Sequence, residues 1–98
     1  MAEKITVEDL KNRKHEFMII DVRELDELEA GKISDSTHMP LGLVIRNANK
    51  GEINNLKEKK ICTYCRNGYR GNFAADELNK KGFNAVTLDG GFDTWNKK

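Results

Sequence analysis

The stretch Ile61-Cys62-Thr63-Tyr64-Cys65-Arg66-Asn67-Gly68-Tyr69-Arg70-Gly71 decides how this chain folds. Its first half, with Lys60, is a run of small, branched and aromatic residues, which suits a buried strand. Its second half is a turn with a glycine, after which the pattern changes. From Tyr69 to Lys81 the spacing predicts a helix, with Phe73, Ala74 and Leu78 on one side and Gly82 closing it. Strand, turn and helix in that order form one unit of an α/β domain.

The rest of the chain repeats the alternation. Phe17 to Val22 is a short continuous apolar run, as expected of a strand covered on both faces. Asn84 to Leu88 is another strand, closed by Asp89-Gly90-Gly91, and a shorter one falls at Thr37-His38-Met39 before Pro40. Thr6 ahead of Glu8 and Asp9 marks a helix start. Glu24 to Ala30, with Leu25 and Leu28 three apart and Gly31 behind, predicts a helix. Leu41 to about Leu56 is broken by Gly42 and Gly51, so no single helix spans it. A short terminal helix is expected over Asp93 to Lys97. The fold class that follows is α/β, with a mainly parallel sheet of about five strands and helices on both faces.

The 98 residues fit a single domain, residues 1–98. Lys plus Arg number 17 against 16 Asp plus Glu, a net charge of +1. That balance argues against a general nucleic-acid or membrane-surface binder, so any anion affinity must be local. No apolar run approaches a membrane span. The opening residues lack the apolar stretch of a secretory signal. A cytoplasmic monomer is expected, in a compartment where thiols stay reduced.

Cys62 and Cys65, the chain's two cysteines, are spaced C-x-x-C. Three readings compete: a dithiol redox pair, half of a metal site, or one reactive thiol in an anion-binding loop. Dithiol oxidoreductases place both cysteines at a helix start, whereas Cys62 falls inside the strand. Three residues apart on a strand, the two side chains point to opposite faces. Cys62 therefore reads as core packing. A metal site would need His15 and His38 at spacings that match no finger pattern, so no metal is expected. No cofactor is expected either.

Cys65 stands at the carboxyl end of a strand, where ligands of such sheets bind. Gly68 allows the turn a positive φ and a close backbone approach. The amides of Arg66, Asn67, Gly68, Tyr69 and Arg70 can converge above the sulfur. Helix N-termini and nearby cations favour thiolate, the nucleophilic form. Arg66 and Arg70 supply cations here. The site reads as a cysteine nucleophile in a cradle for an anion.

These residues resemble a known family. Cys65-Arg66-Asn67-Gly68-Tyr69-Arg70 is similar to the active-site loop of single-domain rhodaneses, the thiosulfate sulfurtransferases and their persulfide-carrying relatives. Ile19-Ile20-Asp21-Val22-Arg23-Glu24 resembles the family's D-V-R-E segment. Gly31-Lys32-Ile33 with His38-Met39-Pro40-Leu41, and Leu88-Asp89-Gly90-Gly91-Phe92-Asp93-Thr94-Trp95, resemble two further segments in the family's order. Lys32 replaces the usual His, and Asp35-Ser36 the usual Gly-Ala. The spacing C-x4-R matches the sulfurtransferase loop. The related phosphatases carry C-x5-R, and position 71 here is Gly.

The resemblance implies a double displacement. The Cys65 thiolate would take the outer sulfur of thiosulfate or a persulfide donor, then pass it to cyanide, a small thiol or a protein thiol. Arg66 and Arg70 would attract the anionic donor, or Arg70 would be held by a carboxylate and shape the loop. Tyr69 would stand at the site mouth or pack against the helix. Asp21 and Arg23 are expected to tie loops together, and Phe92 and Trp95 to pack. His38 has no acid–base partner in sequence. The alternatives to an enzyme are a persulfide carrier serving a partner protein and a Cys62/Cys65 redox protein.

Overall fold

In the computed structural model, which describes residues 2–97, these segments form one parallel sheet. The two terminal positions of the expected 1–98 span lie outside the described residues. The strands are β1 (Lys4–Ile5), β2 (Phe17–Asp21), β3 (Thr37–His38), β4 (Lys60–Tyr64) and β5 (Asn84–Leu88), in the order β1-β5-β4-β2-β3. Every pairing is parallel. Central β4 places Cys62 opposite Ile19 of β2 on one side and Val86 of β5 on the other.

The helices are α1 (Val7–Arg13), α2 (Leu41–Lys50), α3 (Tyr69–Lys80) and α4 (Gly91–Lys97). Thr6 caps α1, its hydroxyl accepting from the Asp9 amide at 3.1 Å. One face of the sheet is covered by Val44 and Ala48 of α2 and Ala74, Ala75 and Leu78 of α3, packed on Ile20, Ile61, Cys65 and Ala85. The other is covered by Val7 and Leu10 of α1 and Phe92 of α4, packed on Ile19, Cys62, Tyr64 and Leu88. The period of two along β4 sends Cys62 and Cys65 to opposite layers, as the spacing predicts. No helix among the described residues is long and apolar enough to cross a membrane.

Several details differ from the sequence reading. The buried stripe of α3 is Gly71, Ala74, Ala75 and Leu78, an i, i+3, i+4, i+7 row. Phe73 lies about 100° around the helix from Ala74 and is half exposed. Leu25–Ala30 is a 3₁₀ segment and not an α-helix. Its periodicity of three matches the Leu25/Leu28 spacing, yet Leu25 is exposed. Gly42 does not break α2; it sits in the first turn, and the helix ends at Gly51 in a left-handed conformation. α4 starts two residues before the expected Asp93. Asp35, which stands where the resemblance expects Gly, has φ +68°, the one positive φ among the described non-glycine residues. A glycine would meet this backbone demand freely, and Asp meets it at some cost.

Candidate active site

Cys65 follows β4 directly and Tyr69 opens α3, so the three residues between them, Arg66, Asn67 and Gly68, turn the chain over the sulfur. Gly68 takes φ +103°. Its amide donates to Cys65 Sγ at 3.2 Å. Asn67 folds its side chain inward: Oδ1 accepts from the Tyr69 amide at 3.2 Å and lies 3.8 Å from Sγ. The amides that open α3 have no partner inside the helix and face this loop. Cys65 is fully buried at the floor. A negatively charged sulfur here would meet the Gly68 amide on its loop side and the apolar α2/α3 layer on the other.

The loop is fastened from outside. The Cys65 and Arg66 carbonyls accept from the Phe92 and Asp93 amides at 2.8 and 2.9 Å, so the first turn of α4 holds the loop. This requires α4 to start almost against the loop. A Cβ on Gly91 would lie 2.5 Å from the Cys65 carbonyl oxygen, and Gly91 has φ +63°.

Arg70 turns away from open solvent to Glu27. Nη1 and Nη2 donate to Oε1 and Oε2 at 2.6 and 2.8 Å, a bidentate pair. These hydrogen bonds, ahead of the pair's charge attraction, raise Arg70 further above its ordinary range. They also lower Glu27 from its ordinary 4.5 to about 2, against the effect of burial. Of the two roles open to Arg70, the structure favours the one in which a carboxylate holds it. Arg66 differs: its side chain is 71% exposed, and Nε is 3.7 Å from Asp93 Oδ2, beyond hydrogen-bond reach. Tyr69 is 85% exposed, at the mouth.

Asp21 and Arg23 form the buried hub beneath the site. The Asp21 carboxylate accepts from the Arg23 amide, from Nε and Nη2, and from Tyr64 OH, at 2.7–3.1 Å. Burial opposes its charge, but the Arg23 and Tyr64 hydrogen bonds outweigh burial and lower the carboxyl below its ordinary range. Burial above all raises Tyr64, which keeps its proton and donates it. Arg23 reaches on to the Glu27 and Gly31 carbonyls at 3.2 and 2.7 Å and lies over the Phe92 ring at 4.6 Å. The pair therefore ties β2, β4, the 3₁₀ segment and α4 together, as expected for loop-tying residues. His38 holds the Arg23 carbonyl at 2.8 Å. Trp95 packs against the layer formed by α1 and α4.

Cys62 lies under that α1/α4 layer, where burial pushes its thiol up to about 12. Both cysteines are free. Among the described residues no group of three or more His, Cys, Asp or Glu could hold a metal. The residue that the sequence reading missed is Glu27. The E-x-x-E spacing of Glu24 and Glu27 signals the capping box it forms, but nothing local points to Arg70.

Fold and loop together define a class: a parallel α/β domain that carries one cysteine beneath the first turn of the helix leaving its central strand. The chain belongs to the rhodanese-like domain family, whose profile matches residues 6–98. It is 32% identical over 84 residues to thiosulfate sulfurtransferase GlpE of Coxiella burnetii, covering 85% of this chain and 75% of that one. It is 40% identical over 68 residues to the putative sulfur carrier protein YrkF of Bacillus subtilis, covering 69% of this chain and 35% of that one. A rhodanese-related protein from Thermoplasma volcanium has a similar structure, with TM-score 0.83 and 28% identity, over 97% of this chain and 91% of that one.

Proposed function

We propose that this domain is a sulfurtransferase that carries sulfane sulfur as a persulfide on Cys65. The observation that carries the reading is the Gly68 amide donating to Cys65 Sγ at 3.2 Å at the head of α3. The same hydrogen bond and its neighbours would stabilise a persulfide anion as an oxyanion hole stabilises an alkoxide. In the first half-reaction the Cys65 thiolate attacks the outer sulfur of thiosulfate. The sulfur–sulfur bond breaks and sulfite leaves with the electron pair. In the second, a thiolate or cyanide attacks the outer persulfide sulfur, and the pair returns to Cys65. A persulfide donor would follow the same course with a thiolate leaving.

The relatives' names support sulfur chemistry of both kinds, transfer and carriage. A carrier would use the same persulfide and pass it to a partner protein's thiol. The Cys62/Cys65 redox reading has no support, because the two side chains lie on opposite faces of the sheet. A reducing compartment such as the cytoplasm suits two free thiols.

Thiocyanate formation from thiosulfate and cyanide tests the enzyme reading. Wild type and Cys62→Ser are expected to turn over many times, and Cys65→Ser not at all. Equal turnover by Cys65→Ser would overturn the assignment. One round of transfer without further turnover would favour the carrier.

A further inference from the structure

We propose that Glu27 is a positioning residue for sulfur transfer, acting through Arg70, and that recognition of an anionic donor falls to Arg66. This rests on the sulfurtransferase reading and assigns roles within it. Arg70 is the second residue of α3, two positions past the Gly68 amide that meets Cys65 Sγ. Its bidentate pairing balances its charge and fixes the helix's first turn relative to the 3₁₀ segment.

That segment is itself fixed. Glu27 Oε1 also accepts from the Glu24 amide at 3.0 Å, and Arg23 holds the carbonyls of Glu27 and Gly31. A continuous path therefore runs from the buried Asp21–Arg23 pair through Glu27 and Arg70 to the amides around the sulfur. Attack on a sulfur–sulfur bond needs the thiolate in line with the bond that breaks, so loop position sets the rate of that step. The donor's negative charge needs a cation free to reach it. Arg66 is that cation: it is mostly exposed, and its loose contact with Asp93 costs little to give up.

The two roles separate in steady-state kinetics with thiosulfate and saturating cyanide. Glu27→Gln keeps an acceptor for the Glu24 amide but loses the charged pair. Its kcat should fall at least about tenfold with KM for thiosulfate within about twofold, because misplacement costs rate. Arg66→Gln should do the reverse, raising KM about five- to tenfold with kcat nearly unchanged, as loss of one charge-assisted contact would. Glu27→Gln combined with Arg70→Gln should cost no more than the worse single change, since residues acting as a unit are not additive. Glu27→Asp, which keeps the charge on a shorter arm, should recover part of kcat. Thermal melts confirm that each variant is folded at the assay temperature, and Arg70→Lys gives a second, milder perturbation of the same pair.

A Glu27→Gln enzyme with kcat within about twofold of wild type, a KM effect in place of the kcat effect, or additive losses in the double variant would overturn the inference. Each of these leaves the sulfurtransferase reading intact. An inactive wild-type chain would overturn both.

Discussion

Removing the Asp21 carboxylate tests whether the buried hub holds the site's elements together. The perturbation is Asp21→Ala. It deletes the acceptor of five hydrogen bonds, four from Arg23 and one from Tyr64. Arg23 is 1% exposed and would keep its charge with two carbonyls and the faces of the Phe92 and Tyr64 rings as partners, but no anion. Breaking a buried ion pair from one side costs about 3–5 kcal/mol. Domains of this size hold about 5–15 kcal/mol in total. Each kcal/mol lowers the melting temperature by about 4–8 °C, so the loss should be at least about 12 °C. Urea unfolding followed by circular dichroism measures it directly. Asp21→Asn, nearly the same in volume, should cost a comparable amount, because an amide NH₂ would face the guanidinium. Asp21→Leu with Arg23→Met removes both charges and should cost less than the two single changes added together. A loss under about 1 kcal/mol for Asp21→Ala, the range of exposed pairs, would refute the reasoning.

Two further outcomes follow from the same geometry. Gly91→Ala places a Cβ 2.5 Å from the Cys65 carbonyl oxygen at φ +63°, so it should cost about 1–3 kcal/mol and slow sulfur loading; Gly42→Ala, with nothing within 4 Å, should be neutral or stabilising, and equal melts for the two would contradict this. Glu27 titrates at about 2 when folded against an ordinary 4.5, so its contribution is complete above about 4.5 and lost as pH falls through about 2. The shift sets a ceiling of about 3 kcal/mol, and partial exposure reduces it to about 1–2 kcal/mol. The stability gap between wild type and Glu27→Gln, read by urea unfolding, should close over that window; a gap independent of pH would argue against the pair.

β2 was legible because Phe17 to Val22 is nearly all apolar, as a strand covered on both faces requires, and β4 and β5 because branched, small and aromatic residues run between turn signals. The separation of Cys62 from Cys65 followed from strand geometry alone. Lys4–Ile5 was not legible: two residues carry no period, and β1 exists because β5 offers a partner edge. Phe73 was misassigned because size suggests burial, whereas the close approach of α3 to the sheet favours the small residues Gly71, Ala74 and Ala75. In the loop, the residue types pointed to the chemistry but could not divide the labour between the two arginines. Arg70 and Glu27 are 43 residues apart, and their meeting depends on the 3₁₀ segment that Arg23 holds in place.

The central claim is that Cys65 alone carries sulfur. The reduced protein is mixed with thiosulfate, or with a low-molecular-weight persulfide, and weighed intact by mass spectrometry beside Cys62→Ser and Cys65→Ser. Wild type and Cys62→Ser should each gain one sulfur atom, reversible by cyanide, and Cys65→Ser none. Sulfur that follows Cys62, or no gain from either donor, would contradict the account.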